Sequence, residues 1–581
     1  MPRILIDNKV VISYDSSARD KYWAALSKYL IEKHGKSNFT EPNKVESILL
    51  DAFNFLIDNF RRLILQEDRL TFFLYIFWLH EESIKIYIKT LAGLKIDKIS
   101  ESEFAMYRRI LKLILEQGCD INLAWGKLSS GSDVLLMDIK IQELLYLGTW
   151  IYGFADNIAF QKMIEDCYEI KFDEENLLNV NWQYHYGETY AQLFPTLVED
   201  YEKGTFDEQG TRELVKSIEN CFGINYKFAS GIIFEIKKHH SPKDPTFQTI
   251  EPQVLPLNLE SEFKIDKVIA NKFYDGLTIS RKNKLTIEEA VLKPYSTQRY
   301  MFRPILVYRI GGEDRALVGI EKFTESMMVL ATNAIHWNAM LSEWLELKCM
   351  QNFITNKGND HDAILEDEIE EIVRKKRFRY CRNIKSFKQA SKTNVRIDNE
   401  IAGEIDLIVV NSTLKTVFVA DSKYNRARYE AVGYRNDYTN FIKSYEPQLS
   451  KKIKWVSNNL KVLQEHLQII YNSQEIDLTN FKVEGIFIIN TPTFYMFNGK
   501  YKAITLKQIG DFLEGKYQYP DLYIHKEAGD DEMLMIVKHP YFKKPVFLGN
   551  SRKKPKQILI KFRAIFKEKL LKLAKILRGV K

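Results

Sequence analysis

Apolar residues recur at helical spacing through the first 240 residues of the chain. In one example, Val45, Leu49, Phe53 and Leu56, every interval is three or four residues, which places the side chains on one face of a helix. The pattern holds from about residue 16 to about residue 238, with no repeat of fixed period. A polar stretch with prolines then interrupts it. We therefore predict a mainly helical domain over residues 1–240.

After that boundary the pattern becomes a mixture of strands and helices. Residues 304–310 and 315–320 are strand-like runs, and the intervening Gly-Gly-Glu-Asp suits the turn of a hairpin. A helical pattern follows at 324–353, and a loop rich in Asn, Gly and Asp ends it at 356–360. These features predict a mixed α/β connecting domain over residues 241–345.

The last part of the chain has the element order αβββαβ. Predicted in sequence are a helix at 362–376, strands at 395–397, 403–410 and 416–423, a helix from 446 to 470, a strand at 483–490 and a strand-helix unit at 501–513. This order predicts a third domain over 346–525, an α/β fold around a central mixed sheet. Residues 526–581 form a C-terminal extension, in which the basic amphipathic stretch 552–581 predicts a helix.

The predicted fold class is thus a multidomain protein with a mainly α N-terminal region, a mixed α/β linker domain and a C-terminal α/β domain. Of its 581 residues, 45% are hydrophobic and 28% are charged, which excludes a disordered chain. The five cysteines form no CxxC pair, which excludes the usual zinc motifs. The size of the chain argues against a disulfide framework. The longest apolar run, 70–79, is too short to cross a bilayer. We expect a soluble cytoplasmic protein without membrane insertion, whose net charge of +7 permits a polyanionic partner.

Candidate chemistry is concentrated in two neighbouring strands of the third domain. Asp421 and Lys423 are two residues apart on one strand, so their side chains point to the same face. Because a short turn makes the two strands antiparallel neighbours, Asp406 should lie within about one register step of Asp421. The surrounding residues are apolar, and buried carboxylates must be paired or bind a metal. We predict a dication, Mg²⁺ or Mn²⁺, between the two aspartates, with Lys423 beside the water that it activates.

These residues belong to a longer motif. The segments GEIDLIVVN, starting at Gly403, and TVFVADSK, starting at Thr416, resemble the core of the PD-(D/E)xK nuclease superfamily. The resemblance covers residues 362 to about 515, and it implies a restriction-endonuclease-like fold and a metal-dependent deoxyribonuclease. The ending DSKY is similar to that of nuclease subunits in modification-dependent restriction systems, which implies a role in prokaryotic restriction or anti-phage defence. Two departures, Ile405 in place of the proline and Asp421 in place of the commoner glutamate, leave cleavage specificity open.

The resemblance also implies roles for two helix residues. A glutamate on the helix before the strands often completes the metal site in this superfamily, and Glu366 matches it, with Glu370 one turn on as the substitute. A glutamine on the following helix recurs in several branches, and Gln448 matches that position. The implied catalytic set has five members, of which the first three are metal ligands: Asp406, Asp421, Glu366, Lys423 and Gln448.

Each of these elements also has a purely structural interpretation. An Asp and a Lys two residues apart can form an ion pair on an edge strand, and the acidic run 366–371 can be a solvated helix face. Gln448 can be a polar residue at a helix N-terminus. Lysines 451, 452 and 454 can contact phosphates or simply be solvated. The basic stretch 552–581 can pack on the body of the protein, contact nucleic acid or lie on a membrane surface.

Two further functions stand beside a DNA nuclease. One is a catalytically inactive scaffold with the nuclease fold, which binds nucleic acid or a partner protein. The other is a nuclease that acts on RNA, because nothing in the strands distinguishes tolerance of a 2′-hydroxyl from a preference for DNA. The complete set of two acids and a lysine favours the enzyme. No GxxxxGK[ST] motif occurs, so an ATP-driven step would need a separate ATPase subunit as partner.

Overall fold

Helices dominate the first part of the chain, as the apolar spacing predicts. In the computed structural model the helices of this part are α1 (Ser17–His34), α2 (Pro42–Leu65), α3 (Leu70–Leu91), α4 (Glu101–Gly118), α5 (Gly131–Met163), α6 (Tyr186–Glu199) and α7 (Glu208–Phe222). Short strands lie between them: β1 (Arg3–Ile6), β2 (Lys9–Ile12), β3 (Asn122–Leu123), β4 (Tyr168–Phe172) and β5 (Leu178–Trp182).

The structure describes most of the chain. Its described residues are all except 1–2, 7–8, 13–16, 92, 94–99, 127–130, 200–207, 226–248, 338, 392–393, 398–401, 529–530 and 545–581. The basic helix predicted at 552–581 therefore lies outside the described residues. No described helix has the length and apolar character that a membrane crossing requires.

Helix α2 illustrates how local sequence defines these elements. The carboxylate of Glu41 accepts hydrogen bonds from the backbone N–H groups of Asn43 at 3.0 Å and Lys44 at 2.7 Å, which satisfies donors that the helix itself leaves unpaired. Pro42 occupies the first turn, where its missing N–H costs nothing. The apolar face from Val45 onward is buried. Sequence alone thus specifies both the start of this helix and its buried side.

The connecting section contains helices around a small sheet. Its elements are α8 (Val254–Phe263), α9 (Lys267–Gly276), β6 (Thr278–Ile279), α10 (Ile287–Leu292), β7 (Ile305–Ile310), β8 (Glu313–Val318), α11 (Ile320–Trp337) and a 3-10 turn (Trp344–Glu346). The predicted hairpin is confirmed, because β7 and β8 pair antiparallel. Gly311 and Gly312 make its turn with φ values of 59° and 92°, which glycine adopts without steric cost. Strand β3 of the helical region also pairs with β7.

The last part forms the predicted mixed sheet with helices on both faces. Its helices are α12 (Lys348–Lys375), α13 (Ala431–Asn440), a π-helical turn (Phe441–Tyr445), α14 (Glu446–Asn458), α15 (Leu460–Tyr471), α16 (Tyr495–Asn498) and α17 (Leu506–Leu513). Its strands are β9 (Arg379–Ile384), β10 (Ser386–Lys388), β11 (Asn394–Arg396), β12 (Ile405–Asn411), β13 (Thr416–Lys423), β14 (Lys482–Ile489), β15 (Lys502–Thr505), β16 (Leu522–Ala528) and β17 (Asp531–Val537).

The strand order in this five-stranded sheet is β15-β14-β13-β12-β9. Strands β9, β12 and β13 pair antiparallel, whereas β13, β14 and β15 pair parallel. The sequence pattern missed β9. It placed the first strand of the domain at 395–397, but β11 in that region pairs with β10 outside the main sheet.

Three predictions of helix bounds are wrong. The helix predicted at 324–353 is instead two helices, since α11 ends at Trp337 and α12 begins at Lys348. Residues 356–360, predicted to be a loop, continue helix α12. Met350 before them and Leu365 after them are both buried, so packing outweighs the weak helix propensity of Asn, Gly and Asp. The helix predicted from 446 to 470 is instead two helices, α14 and α15, which meet at Asn459.

The two faces of the five-stranded sheet pack against different helices. Val417 and Val419 of β13 belong to the same apolar cluster as Leu449 of α14. The alternate residue Phe418 belongs to another cluster, which includes Leu365 of α12 and side chains of α17. Because side chains alternate along a strand, α14 covers one face and α12 covers the other. This division determines which helix residues can meet Asp406 and Asp421.

The apolar core of the helical region continues into the sheet. Leu56 of α2 and Phe487 of β14 belong to one cluster of buried side chains. Met1–Phe542 form one compact unit. The three-way division of the first 525 residues into domains, with boundaries near 240 and 345, stays a prediction.

Residues after 525 also contribute to the core. Strands β16 and β17 form an antiparallel hairpin, and the aromatic rings that follow it, Tyr541 and Phe542, are buried in the main core. The Tyr541 hydroxyl donates to the carbonyl of Pro520 at 2.8 Å. The compact unit runs to Phe542, since these rings need the core for burial, and the domain boundary at 526 stays a prediction.

One cysteine pair forms a disulfide. Cys221 of α7 is bonded to Cys349 of α12, with the two Cα atoms 5.9 Å apart. The size of the chain argued against a disulfide framework, but these two residues, 128 positions apart, are brought together by the fold, which sequence spacing does not reveal. The other cysteines, Cys119, Cys167 and Cys381, are free and buried.

Candidate metal-binding and catalytic site

Strands β12 and β13 bring two aspartates together, as their spacing predicts. The ladder between the strands pairs Leu407 with Ala420, and the same antiparallel register places Asp406 opposite Asp421 one residue further on. Asp421 and Lys423 alternate with Ala420 and Ser422, so they lie on the sheet face that carries Val419. This is the face that α14 covers.

The carboxylate of Asp406 extends the hydrogen bonding between the strands. Its Oδ2 accepts the backbone N–H of Ser422 at 2.9 Å and the Ser422 hydroxyl at 3.2 Å. The ladder of β12 and β13 ends at Leu407 and Ala420, and this side chain satisfies a strand donor just beyond it. Asp406 is therefore held in place through Oδ2, and its Oδ1 atom remains available to contact another side chain.

A lysine that sequence reasoning left as a surface residue completes the site. Lys452 of α14 places its Nζ 3.1 Å from Oδ1 of Asp406 and 2.6 Å from Oδ1 of Asp421. Its side chain is 8% exposed and that of Asp421 is 1% exposed. Lys423 lies on the other side of Asp421, with Nζ 2.9 Å from Oδ2, in a geometry that forms an ion pair without an aligned hydrogen bond. The same ammonium lies 4.8 Å from the centre of the Tyr445 ring.

Burial and the charges of this cluster shift the pKa values of Asp406, Asp421 and Lys452. Burial, and then the negative charge of Asp421, raises the pKa of Asp406 to about 6. Burial alone would also raise the pKa of Asp421, but the ammonium groups of Lys423 and Lys452 outweigh it and lower that pKa. Burial would lower the pKa of Lys452, but the two carboxylates outweigh it and raise that pKa. The ammonium of Lys452 and the Asp421 carboxylate therefore stabilise each other's charge.

The structure places Glu366 on the other side of the sheet. Glu366 lies on α12, whose apolar residues pack with Leu407 and Phe418 on the face opposite Asp421. The neighbouring acids interact with strand β9: Arg382 donates to Asp367 at 2.7 Å and to Glu370. The Tyr380 hydroxyl also donates to Glu370, at 2.7 Å.

Among the described residues neither Glu366 nor its substitute Glu370 forms a group of three acids with the aspartate pair, and their role as metal ligands stays a prediction. An apolar stripe on a helix predicts which side is buried, but not which face of the sheet the helix will cover. The acidic run is also more than a solvated helix face, since it forms ion pairs with Arg382.

Gln448 lies on the correct helix but stays outside the cluster. It is exposed in the first turn of α14, one turn before Lys452, so the two side chains project from the same side of the helix. Within the described part of the chain Gln448 forms no hydrogen bond. Lys452 instead occupies the place near the strands that the family resemblance gave to a glutamine.

The donor chemistry of the aspartate pair fits a hard divalent cation. Mg²⁺ is often held by one or two carboxylates and completed by water, and Asp406 and Asp421 offer two carboxylates side by side. Among the described residues there is no group of three or more His, Cys, Asp and Glu side chains that could hold a metal. Buried carboxylates must be paired or bind a metal, and in this structure Lys423 and Lys452 pair with the two aspartates.

Lys452 did leave a signal in the sequence. Leu449, Lys452 and Val456 follow helical spacing, so the lysine lies on the buried stripe of an amphipathic helix. A charged residue in such a stripe requires a buried partner. The pattern therefore reveals a buried lysine, although it does not say which acids it meets.

The loop after β13 is held by a second charged cluster. Arg428 donates to both carboxylate oxygens of Asp437 on α13, at 2.9 and 3.0 Å. The guanidinium of Arg426 lies 3.9 Å from the centre of the Tyr295 ring, and the Tyr295 hydroxyl donates to Glu430 at 3.1 Å. These contacts fix the chain directly after Lys423, and sequence reasoning identified none of them.

Comparison with known proteins adds no family to this picture. No family model matches the sequence, and no curated protein and no solved structure matches it.

Proposed function

We propose that the chain is a metal-dependent deoxyribonuclease with a restriction-endonuclease-like domain near its C-terminus. The observation that carries the proposal is the convergence of Asp406, Asp421 and Lys423 on one sheet face, with both aspartates paired to buried or half-buried lysines. The mixed sheet supports the proposal too, since two antiparallel strands carry the motif and further parallel strands follow. The multidomain layout belongs to the same proposal.

The chain's own residues prepare the site for phosphodiester hydrolysis. The oxygens of Asp406 and Asp421 would hold a divalent cation, which supplies Lewis acidity and an activated water. Ser422 fixes the orientation of Asp406 through two hydrogen bonds. Lys423, whose side chain is 20% exposed, can reach solvent and thus meet a bound phosphate. Its ammonium can stabilise the negative charge that develops on the phosphate during attack.

DNA is the substrate that we propose, in a role such as prokaryotic restriction or anti-phage defence. The net charge of +7 permits a polyanionic partner. The large helical region would then position a nucleic-acid structure, a partner protein or an ATPase subunit relative to the cut.

A catalytically inactive scaffold is the second candidate. Two observations favour it: Lys452 already balances the acid pair, and a third acidic ligand does not join the pair within the described residues. Such a protein would use the same fold to bind nucleic acid or a partner without cleavage.

Cleavage assays separate these functions. Purified protein is incubated with plasmid, linear and single-stranded DNA and with RNA, in Mg²⁺, Mn²⁺ or EDTA. We expect DNA cleavage that requires the metal and is lost in Asp421→Ala and Lys423→Ala. Lys461→Ala, at an exposed lysine on α15, is the control and should cut like wild type. Equal cleavage by all three variants would place the active site elsewhere, and cleavage of RNA alone would change the substrate.

A further inference from the structure

Three carboxylate oxygens of the aspartate pair accept hydrogen bonds, and the fourth lies in an ion pair. Oδ2 of Asp406 accepts from Ser422, and Oδ2 of Asp421 is 2.9 Å from the ammonium of Lys423. Both Oδ1 atoms contact Lys452. The Oδ1 atoms of the two aspartates thus share one partner, the ammonium of Lys452.

We propose that Lys452 is an internal counter-ion, which a divalent metal ion must displace in order to bind between Asp406 and Asp421. This inference rests on the proposed function, because it presupposes that the pair binds metal. An ammonium and a dication cannot share the same two oxygens, since they would repel strongly at a few ångströms in a poorly solvated site. Lys452 has a flexible four-carbon stem, so its ammonium can withdraw while α14 stays in place.

The contacts of Lys452 with the two aspartates stabilise the metal-free protein, but they weaken its affinity for metal. Removing one partner of a buried ion pair leaves the other charge without compensation, and Lys452 prevents this for both aspartates. The apparent affinity for metal equals the intrinsic affinity multiplied by the fraction of molecules in which the site is free. If the lysine occupies the pair in about nine molecules of ten or more, metal binding is weakened by about tenfold or more.

Mn²⁺ binding tests the inference without any measurement of cleavage. Lys452→Met keeps most of the side-chain length and removes the charge, and Lys451→Met is the matched control on the exposed side of α14. Binding is followed by the electron paramagnetic resonance signal of free Mn²⁺. We expect Lys452→Met to bind Mn²⁺ about tenfold more tightly than wild type or better, and Lys451→Met to bind like wild type.

Thermal unfolding supplies a second readout on the same variants. Without metal, Lys452→Met should unfold at a lower temperature than wild type, because two buried carboxylates lose their counter-ion. Added Mn²⁺ should raise its midpoint by more than it raises that of wild type, because ligand that binds only the folded state stabilises it according to affinity.

Lysine labelling tests the inference in the unaltered protein, which covers the case that Lys452→Met does not fold. Wild type is treated with an amine-reactive reagent with and without Mn²⁺, and each lysine is quantified by mass spectrometry. Labelling of Lys452 should rise with Mn²⁺, whereas labelling of Lys451 should not change. Wild-type binding of Mn²⁺ with no rise in labelling, or with no gain in affinity in Lys452→Met, overturns the inference alone. No Mn²⁺ binding by wild type overturns the proposed metal site, and the inference with it.

Discussion

Replacing Gly485 with alanine should disturb the packing of α14 against the sheet. Gly485 lies on β14 beside Val419 of β13, and a Cβ at this position would lie 2.1 Å from Cδ1 and 2.9 Å from Cγ1 of Ile453 on α14. Both distances are shorter than the 3.4 Å at which ordinary contact begins. Leu449 would also be approached, at 3.2 Å. The helix that carries Lys452 would therefore shift, or Ile453 would leave its present rotamer.

The expected loss of stability combines two opposing effects. Overpacking of this kind costs about 1–3 kcal/mol, while alanine recovers about 0.5–1 kcal/mol of strand propensity and chain entropy relative to glycine. We therefore expect Gly485→Ala to lower the free energy of unfolding by about 1–2 kcal/mol. The assay is equilibrium urea unfolding followed by circular dichroism.

A double-mutant cycle shows whether the contact with Ile453 causes the loss. Ile453→Ala removes the atoms that the new Cβ would meet, so adding Gly485→Ala to it should cost clearly less than in wild type, with a coupling of about 1 kcal/mol. A Gly485→Ala protein as stable as wild type would refute the reasoning. So would additive losses in the double mutant.

Three further predictions follow from the described contacts. Burial raises the pKa of Glu81 from 4.5 to about 7, so the folded state holds its proton longer than the unfolded state, and stability should fall as pH rises from about 4.5 to 7. Glu81→Gln should flatten this slope in urea midpoints measured across that range. Arg299 donates to Glu116 in a buried ion pair at 2.9 Å, so Arg299→Ala should cost about 3–5 kcal/mol of unfolding free energy, and a loss below 1 kcal/mol would contradict this. Glu366→Ala should retain Mn²⁺ binding and cleavage where Asp421→Ala loses both, because Glu366 lies on the far side of the sheet.

The strand pair of the site could be predicted from local rules. A short turn between two apolar runs makes them antiparallel neighbours, and period-two alternation puts Asp421 and Lys423 on one face. The ladder confirms this, with Leu407 opposite Ala420. Rules that act within a few residues therefore located two acids and one lysine correctly in space.

What sequence could not supply is the arrangement of helices on the sheet. The resemblance to the nuclease superfamily implied that Glu366 belongs to the site, but α12 packs on the opposite face of the sheet. Lys452 was considered a surface residue, but α14 presents it to both aspartates. Both outcomes depend on which face each helix covers, and the apolar stripes of α12 and α14 are compatible with either face. The disulfide between Cys221 and Cys349 follows the same logic, since only the packing of α7 against α12 brings them together.

A Mn²⁺ titration of wild type beside Asp421→Asn tests the central claim most directly, because asparagine preserves the shape of the side chain and removes its charge. We predict saturable binding to wild type and a severe loss of affinity in the variant. Equal affinity for the ion in both proteins would contradict the account.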